Sequence, residues 1–375
     1  MWNFPRFFVL CCMLLASPGF AADNRVKVGA IFSLSGWGAE GGAAEYDALR
    51  LAVEDINQSG GILGKPVVLI TEDNRSELRD STTAFKKLVT VDRVSAVIGP
   101  NWAEFAEVIA PLSHSMKAVA ISPSGYKPDL FKPQGYFFSM FPPPESATRS
   151  IVDYILRLKI SSLTILVSEN AYLLGLLEAL KKQLQQESDA KAAPRLEVLR
   201  FNPGHQDYRS TIAKLKKERV GAVMLLLLLN SDLAPYLRQA QDLAFAPLTF
   251  TSNDIVYDEV VTKDRSLAEG VIFFEYFAPG SATFTQRFRK FAHREPNFGS
   301  AKAYDALMIL KRAIEECGLD SEQIARCIRK DQYDGESGLV QFDRLGRIRW
   351  KESNTYLLQV QQGVFKPLSH APTKE

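Results

Sequence analysis

Apolar residues recur along the chain with two alternating spacings. Short apolar runs such as Val26 to Phe32 and Ala96 to Ile98 are typical of buried strands. Between them, Leu49, Ala52 and Ile56 recur at the spacing of one helix face. Strands that alternate with amphipathic helices favour parallel sheets covered by helices on both faces.

The same alternation continues after three consecutive prolines, Pro142 to Pro144, which cannot lie inside a helix or a central strand. We interpret the prolines as a stiff crossing between two halves of the chain. The pattern predicts an α/β fold with two similar lobes, each a mainly parallel sheet flanked by helices. The predicted strands are Val26–Phe32, Val67–Thr71, Ala96–Ile98, Ala118–Ser122, Leu163–Val167, Leu196–Phe201, Ala222–Leu229, Leu248–Thr251 and Val271–Glu275, with short strands from Leu339 to Val360 joined by a turn at Asp343–Gly346. The predicted helices are Glu40–Gln58, Leu78–Val91, Ala103–Ser115, Ala147–Leu158, Tyr172–Gln186, Asp207–Arg219, Leu233–Leu243, Ala282–His293, Ser300–Cys317 and Ser321–Lys330.

The N-terminus has the pattern of a signal peptide. Arg6 precedes an apolar run, Phe7 to Ala16, that is too short to span a bilayer as a helix. Small residues follow the run, so we predict cleavage after Ala21 and an exported, periplasmic mature protein. Cys11 and Cys12 lie inside the apolar run, which argues against a lipoprotein.

Composition and charge exclude several classes of partner. The net charge is only +2 with the signs interspersed, which gives no nucleic-acid footprint. The apolar run Gly221 to Leu229 is far shorter than a membrane span, so we expect no direct membrane insertion. Roughly 350 residues follow the signal peptide, which is more than a single hydrophobic core usually holds, so we predict two domains.

Two cysteines remain after the signal peptide, Cys317 and Cys327. In an oxidising compartment, two cysteines this close in sequence favour a disulfide. The alternative is a pair of reduced, buried thiols.

Catalytic motifs are missing from the sequence. The segment Ser59 to Pro66 resembles a phosphate loop but lacks its first glycine and its hydroxyl residue. The histidines have no metal-ligand spacing; they are His114, His205, His293 and His370. We therefore predict no enzyme activity, no cofactor and no metal.

The turn Gly99-Pro100-Asn101-Trp102 leads from a predicted strand into a predicted helix. Asn101 and Glu104 have the spacing of a capping box, which predicts that Asn101 caps the helix. Such a helix start is a ready site for an anion, although Glu104 in the same turn would compete with it.

Several segments follow one another over essentially the whole mature chain: "VKVGAIFSLSG", "AVEDINQSGGILGKPVVLITEDN", "VSAVIGP", "AVAISPSG", "LRQAQ", "AYDAL" and "GLVQFDRLG". Together they resemble the leucine/isoleucine/valine-binding family of periplasmic solute-binding proteins. The resemblance implies two lobes joined by a three-strand hinge, with a ligand cleft between them. The implied first lobe is 22–140 plus about 276–350, and the second is about 141–275 plus 351–375. The implied partners are a small-molecule ligand and the inner-membrane permease of an ABC importer. We expect the protein to be a monomer.

The resemblance also places ligand-binding positions on this chain. The family's Ser and Thr donors to an α-carboxylate correspond to Ala103 and Tyr126, and its ammonium-binding carboxylate corresponds to Asp254. Two family aromatic positions fall on Tyr172 and Leu229. The fold therefore transfers, whereas the carboxylate-binding site is altered.

Other residues of the same loops complete the predicted site. Ser124 and Tyr126 each keep a hydroxyl donor for a ligand. Trp102 is predicted to bind ligand, with Trp37 and Phe105 as a cleft wall, and ordinary packing is the alternative role for all three. A further family aromatic, a Tyr after the opening S-G, falls on Gly41.

The altered site leaves the ligand open. An amino acid, an aromatic or apolar acid, and an amine stacked on aromatic rings all remain compatible with these residues. Two other roles are also open: a receptor that feeds a membrane sensor, and, as the less favoured alternative, an exported enzyme.

Overall fold

Strands and helices alternate from Val26 onwards and build two large sheets. The structure is a computed structural model that describes residues 24–187, 193–229, 231–275, 280–349 and 355–368. The predicted signal peptide and its cleavage site lie outside these residues. None of the described helices is long and apolar enough to cross a membrane.

The first sheet is formed by the N-terminal part of the chain. Its strands are all parallel and lie in the order β2-β1-β3-β4-β5. The elements, in chain order, are β1 (Val26–Phe32), α1 (Ala39–Gln58), β2 (Val67–Asp73), α2 (Leu78–Thr90), β3 (Val97–Ile98), α3 (Ala103–Met116), β4 (Ala120–Ser122) and β5 (Phe137–Ser139).

The second sheet begins after the prolines. Its order is β14-β13-β10-β9-β8-β6-β7, parallel from β10 to β7 and antiparallel from β10 through β13 to β14. The elements that lead into it are α4 (Pro144–Arg157), β6 (Ser162–Ser168), α5 (Ala171–Glu187), β7 (Arg195–Phe201), α6 (Arg209–Lys217), β8 (Ala222–Leu226), α7 (Leu233–Asp242), β9 (Leu248–Thr251), α8 (Glu259–Lys263) and β10 (Ile272–Glu275). The chain then returns to pack α10 on α1, and its last elements are α9 (Ala282–Ala292), α10 (Ser300–Cys317), α11 (Ser321–Lys330), the hairpin β11 (Gln332–Gly335) with β12 (Gly338–Gln341), and β13 (Tyr356–Gln361) with β14 (Val364–Pro367).

Strands with apolar residues on both faces explain the layered core. Along β8, Ala222, Met224 and Leu226 belong to one apolar cluster, while Val223 and Leu225 belong to another. Successive side chains of a strand point to opposite faces, so this strand contributes to the core on both sides of its sheet. The α/β class and the two-lobed architecture predicted from the sequence are confirmed.

The three prolines connect the two sheets. Residues 140–143 lead from β5 of the first sheet to α4, which packs against β10 and β13 of the second. Pro144 is itself the first residue of α4, because a proline at that position loses no intrahelical hydrogen bond. The helix therefore begins three residues before the predicted Ala147. The predicted lobe boundaries stay a prediction, since those near 276 and 351 fall outside the described residues.

Several strands differ from the predictions: β4 begins at Ala120 rather than Ala118, and β5 was not predicted. The prediction for Ala222–Leu229 was too long, because β8 ends at Leu226. The apolar run continues since Leu228 and Leu229 line a cavity rather than a sheet. At the C-terminus, the Asp343–Gly346 turn is present, with the Gly346 N–H donating to the Asp343 carbonyl, but the hairpin β11–β12 begins earlier than predicted, at Gln332.

Cys317 and Cys327 form a disulfide between α10 and α11, with Cα atoms 6.5 Å apart. Gly318, with φ of +78°, ends α10, and the Asp320 side chain caps α11 by accepting from the Gln323 N–H. The bridge therefore pins a short helix–helix turn whose ends are also fixed by their caps.

Reducing this disulfide should lower the free energy of unfolding by about 2–3 kcal/mol, because the closed loop restricts the unfolded chain. Urea unfolding with and without reductant measures the change. A Cys317→Ser/Cys327→Ser double variant should have the lower free energy of unfolding, and adding reductant should not change it. An unchanged wild-type midpoint under complete reduction would contradict this role.

Candidate functional site

A cavity of about 370 Å³ lies between the two sheets, at the carboxyl ends of their parallel strands. Its walls come from the loops that follow β1, β3, β4 and β5 on one side and β6, β8 and β9 on the other. In open α/β sheets, this edge is where ligands bind. The lining residues are Trp37, Trp102, Ala103, Glu104, Ser124, Tyr126, Phe141, Asn170, Tyr172, Leu228, Leu229, Ser231, Asn253, Asp254 and Phe298.

The residues predicted from the sequence meet at this cavity with one exception. Phe105 is buried and lies outside the lining, with its ring centroid 5.7 Å from that of Trp37. It packs behind the cleft, one of the two roles considered for it. The predicted residues that do line the cavity are Trp37, Trp102, Ala103, Ser124, Tyr126, Tyr172, Leu229 and Asp254.

The predicted capping role of Asn101 is wrong. Trp102, not Asn101, occupies the N-cap position of α3, and no side chain caps this helix. The Asn101 Oδ1 instead accepts a hydrogen bond from the Ser33 N–H at 2.9 Å. Asn101 therefore fastens the loop after β1 to the loop after β3, and both loops supply cavity residues.

The hydroxyl of Ser124 is not available to a ligand as expected. It donates to the Glu45 carboxylate, with oxygen distances of 2.7 and 2.9 Å. Glu45 is 2 % exposed, and burial raises its pKa to about 8, with the Ser124 hydrogen bond and Lys302 opposing that shift. The Ser124 hydroxyl thus hydrogen-bonds to a buried carboxyl group behind the cavity wall.

The hydroxyl group of Tyr126 also has a partner within the protein. It is 3 % exposed, and its hydroxyl interacts with the Arg347 guanidinium. Burial raises the pKa of Tyr126 above its ordinary value, so the group stays neutral. Ala103 at the start of α3 has no donor. The two positions that correspond to the family's carboxylate donors thus offer a ligand mainly apolar surface.

Two carboxyl groups line the cavity, one from each of its two sides. Asp254 follows β9, and burial raises its pKa to about 7, with the neighbouring carboxylates of Glu104 and Asp258 adding to the shift. Glu104 lies in the first turn of α3, and burial also raises its pKa. No lysine, arginine or histidine occurs among the described residues that line the cavity. The site therefore presents two carboxyl groups with raised pKa values within a largely aromatic and aliphatic wall.

Sequence reasoning missed seven of the fifteen described lining residues, and two of them, Glu104 and Asn170, form a contact. The Nδ2 of Asn170 donates to Glu104 Oε1 at 2.5 Å, which joins the loop after β6 to α3 across the cleft. Asn170 Oδ1 accepts from the N–H groups of Tyr172 and Leu173, so the same side chain caps α5. The capping pattern of Asn170 was a usable signal, whereas the contact with Glu104 depends on how the two sheets face each other.

The family comparison agrees with this two-lobed site. A bilobal α/β fold with an interlobe cavity is the architecture of the type I periplasmic binding proteins. The chain belongs to the periplasmic binding protein family, whose model matches residues 25–364. Members of this family are solute-binding proteins rather than enzymes and are normally exported.

Individual relatives are distant. The Leu/Ile/Val-binding protein BraC3 of Rhizobium johnstonii is 28% identical over 221 residues, which is 57% of this chain and 58% of that protein. The chain thus spans just over half the length of this curated relative.

Solved structures share the fold. A leucine-binding protein from Thermotoga maritima has a TM-score of 0.78 at 23% identity, covering 92% of this chain and 98% of its own. A solute-binding protein from Rhodopseudomonas palustris in complex with 3,4-dihydroxybenzoic acid has a TM-score of 0.77 at 16% identity, covering 91% and 95%. One fold thus accommodates chemically different ligands, so the ligand must be argued from side chains.

Asn170→Asp should open the cleft without unfolding α5. Aspartate keeps the oxygen that caps the helix but replaces the Nδ2 donor with an oxygen that repels Glu104. We expect a larger radius of gyration by small-angle X-ray scattering, with a melting temperature near that of the wild type. Asn170→Ala, in contrast, should also lose about 1 kcal/mol of stability, since the cap goes.

A reciprocal swap is the control. Adding Glu104→Gln to Asn170→Asp restores a donor–acceptor pair with the roles exchanged, so the compact scattering profile should return. The interlobe role is refuted if Asn170→Asp scatters like the wild type in the ligand-free protein.

Proposed function

We propose that this protein is the receptor of an ABC importer and encloses a small organic amine with an apolar body. The observation that carries the proposal is the pair of carboxyl groups, Asp254 and Glu104, in a wall without described cationic residues. A bound ammonium group would supply the missing charge. The ligand-binding residues are then Trp102, Ala103, Ser124, Tyr126, Tyr172, Leu229 and Asp254, with Trp37 at the cleft wall.

The charge balance disfavours an acid as the ligand. A carboxylate would enter a cavity whose described lining offers no cationic residue, and it would be repelled whenever Asp254 or Glu104 is ionised. The Ser124 hydroxyl, one of the expected donors to such a group, is held by Glu45. Burying an anion without a cationic partner is costly, so the aromatic-acid alternative is the weaker one.

An α-amino acid is also disfavoured, although relatives are named for leucine, isoleucine and valine. Its ammonium group would suit Asp254, but its carboxylate would meet Ala103 and Glu104 near the start of α3. The uncapped N–H groups of that helix are the remaining partners for it. Removing donors from a site built to bond a group weakens recognition of that group.

Thermal shift assays with matched ligands test whether the site prefers an amine to an amino acid or an acid. Phenethylamine, phenylalanine and 3-phenylpropionate share one body and differ in amine and carboxylate groups; isoamylamine, leucine and 4-methylvalerate form a second set. We expect the amine of a set to raise the melting temperature most and the acid not at all. A ligand at a hundred times its Kd adds about 2.7 kcal/mol to stability, which such an assay detects.

Asp254→Asn should abolish the amine shift, because it removes the charge with little change in shape. Asp153→Asn, on the exposed face of α4, is the matched control and should leave the shift intact. A largest shift with leucine, phenylalanine or either acid would overturn the amine proposal.

Amine affinity should depend on pH in one direction. The ligand-free Asp254 has a pKa of about 7, so below that pH the carboxyl group must lose a proton before it pairs with ammonium. Affinity should therefore fall by up to about tenfold per pH unit below 7 and level off above about pH 8. Isothermal titration in buffers of different ionisation enthalpy should detect released protons. Affinity that rises on acidification would contradict this linkage.

The remaining parts of the proposal concern partners and place. We propose export after cleavage near Ala21, action as a monomer, and delivery of ligand to an inner-membrane permease. The lobes would be 22–140 plus about 276–350 and about 141–275 plus 351–375. Co-purification with a permease supports import, whereas co-purification with a membrane kinase or cyclase supports the sensor alternative.

A further inference from the structure

Trp102 has an unusual backbone conformation for its residue type. Its φ is +66° and its ψ is 143°, a region that side-chain-bearing residues rarely adopt. Such an outlier persists only where surrounding structure holds it. The conformation places the indole ring on the cavity wall, at the start of α3.

Two glycines make room for the indole ring. A Cβ atom at Gly38 would lie 2.6 Å from Trp102 Nε1, and one at Gly41 would lie 2.9 Å from Trp102 Cζ2. Neither glycine has a positive φ, so the need is for space rather than backbone freedom. The indole N–H also points to the Gly38 carbonyl at 3.4 Å. We call Gly38 and Gly41 the glycine notch.

A second indole continues the same surface towards solvent. The Trp37 ring centroid lies 5.4 Å from that of Trp102, and Trp37 is 59 % exposed while still lining the cavity. An exposed tryptophan beside an apolar cavity is a costly feature for a protein surface and is common at binding sites. The two rings thus form an aromatic face at one side of the cavity.

We infer that the glycine notch positions Trp102 as a flat seat for an aromatic ring, so that the preferred ligand is an aromatic amine. The inference rests on the proposed function and specifies the body of the amine. Gly41 is the position where the resembled family carries a tyrosine. Here a side chain at that position would collide with Trp102, so the aromatic surface comes from the loop after β3 instead.

The test compares phenethylamine with 2-cyclohexylethylamine, which has the same amine and a saturated ring. Isothermal titration should give a two- to tenfold lower Kd for phenethylamine, roughly the contribution of an aromatic pair beyond its buried area. Gly41→Ala should displace Trp102 and bring the ratio of the two Kd values close to one. Gly221→Ala, where an added Cβ has no neighbour within 4 Å, is the matched control and should keep the ratio.

Trp102→Leu provides a second variant if Gly41→Ala does not fold. It keeps apolar volume but removes the π face, and it should also bring the ratio close to one. A merely structural role for Trp102 would lower both affinities together and leave the ratio unchanged, which overturns the inference.

The outcomes separate this inference from the proposed function. Equal affinity of the wild type for the two amines would refute the inference that Trp102 is a seat for an aromatic ring, but it would not contradict the proposed amine-binding function. Binding of neither amine, together with binding of an acid or an amino acid, overturns the proposed function and the inference with it.

Discussion

Burial of carboxyl groups without a fixed cation is the constraint on which the site depends. Asp254 and Glu104 lie at a cavity wall where the described lining residues provide no positive charge. A rise in the pKa of Asp254 from 3.8 to about 7 corresponds to a penalty on the order of 4 kcal/mol for its ionised form. A protonated Asp254 avoids this penalty, and under the proposed function an ammonium group bound beside it would stabilise the ionised form instead.

The hydroxyl groups near the cleft reinforce this asymmetry. Ser124 donates to Glu45 and Tyr126 interacts with Arg347, so both hydroxyl groups already have partners within the protein. Donors that would otherwise recognise an anion are therefore already committed. The remaining wall is mainly aromatic and aliphatic, which favours an apolar body next to a cationic head.

The sequence predicted the repetitive features of the fold well because these depend on local periodicity. Both α10 and α11 have their predicted bounds, and the strand Leu248–Thr251 also agrees. Errors arose where a local pattern had two meanings. Leu228 and Leu229 are apolar because they line a cavity, but in the sequence they looked like a continuation of β8. Asn101 has the spacing of a capping box, but its side chain bonds to the Ser33 N–H.

About half of the cavity-lining residues could be predicted, but the chemistry of the site could not. Loops after parallel strands are easy to place, so most predicted residues line the cavity. Which hydroxyl is free, and which carboxyl faces which, depends on contacts such as Ser124 with Glu45 that are far apart in sequence. Spacing alone contains no information about such contacts.

The hydrogen bond between Asn170 and Glu104 connects ligand chemistry to lobe closure. Glu104 lies on α3 of the first sheet, whereas Asn170 precedes α5 on the second, and the bond spans the cleft. An ionised Glu104 accepts this bond more strongly than a protonated one. A cation bound near Glu104 would favour its ionised form. Under the proposed function, binding the amine and holding the lobes together are therefore coupled through one carboxylate, and the same group sets the charge preference and stabilises the closed form.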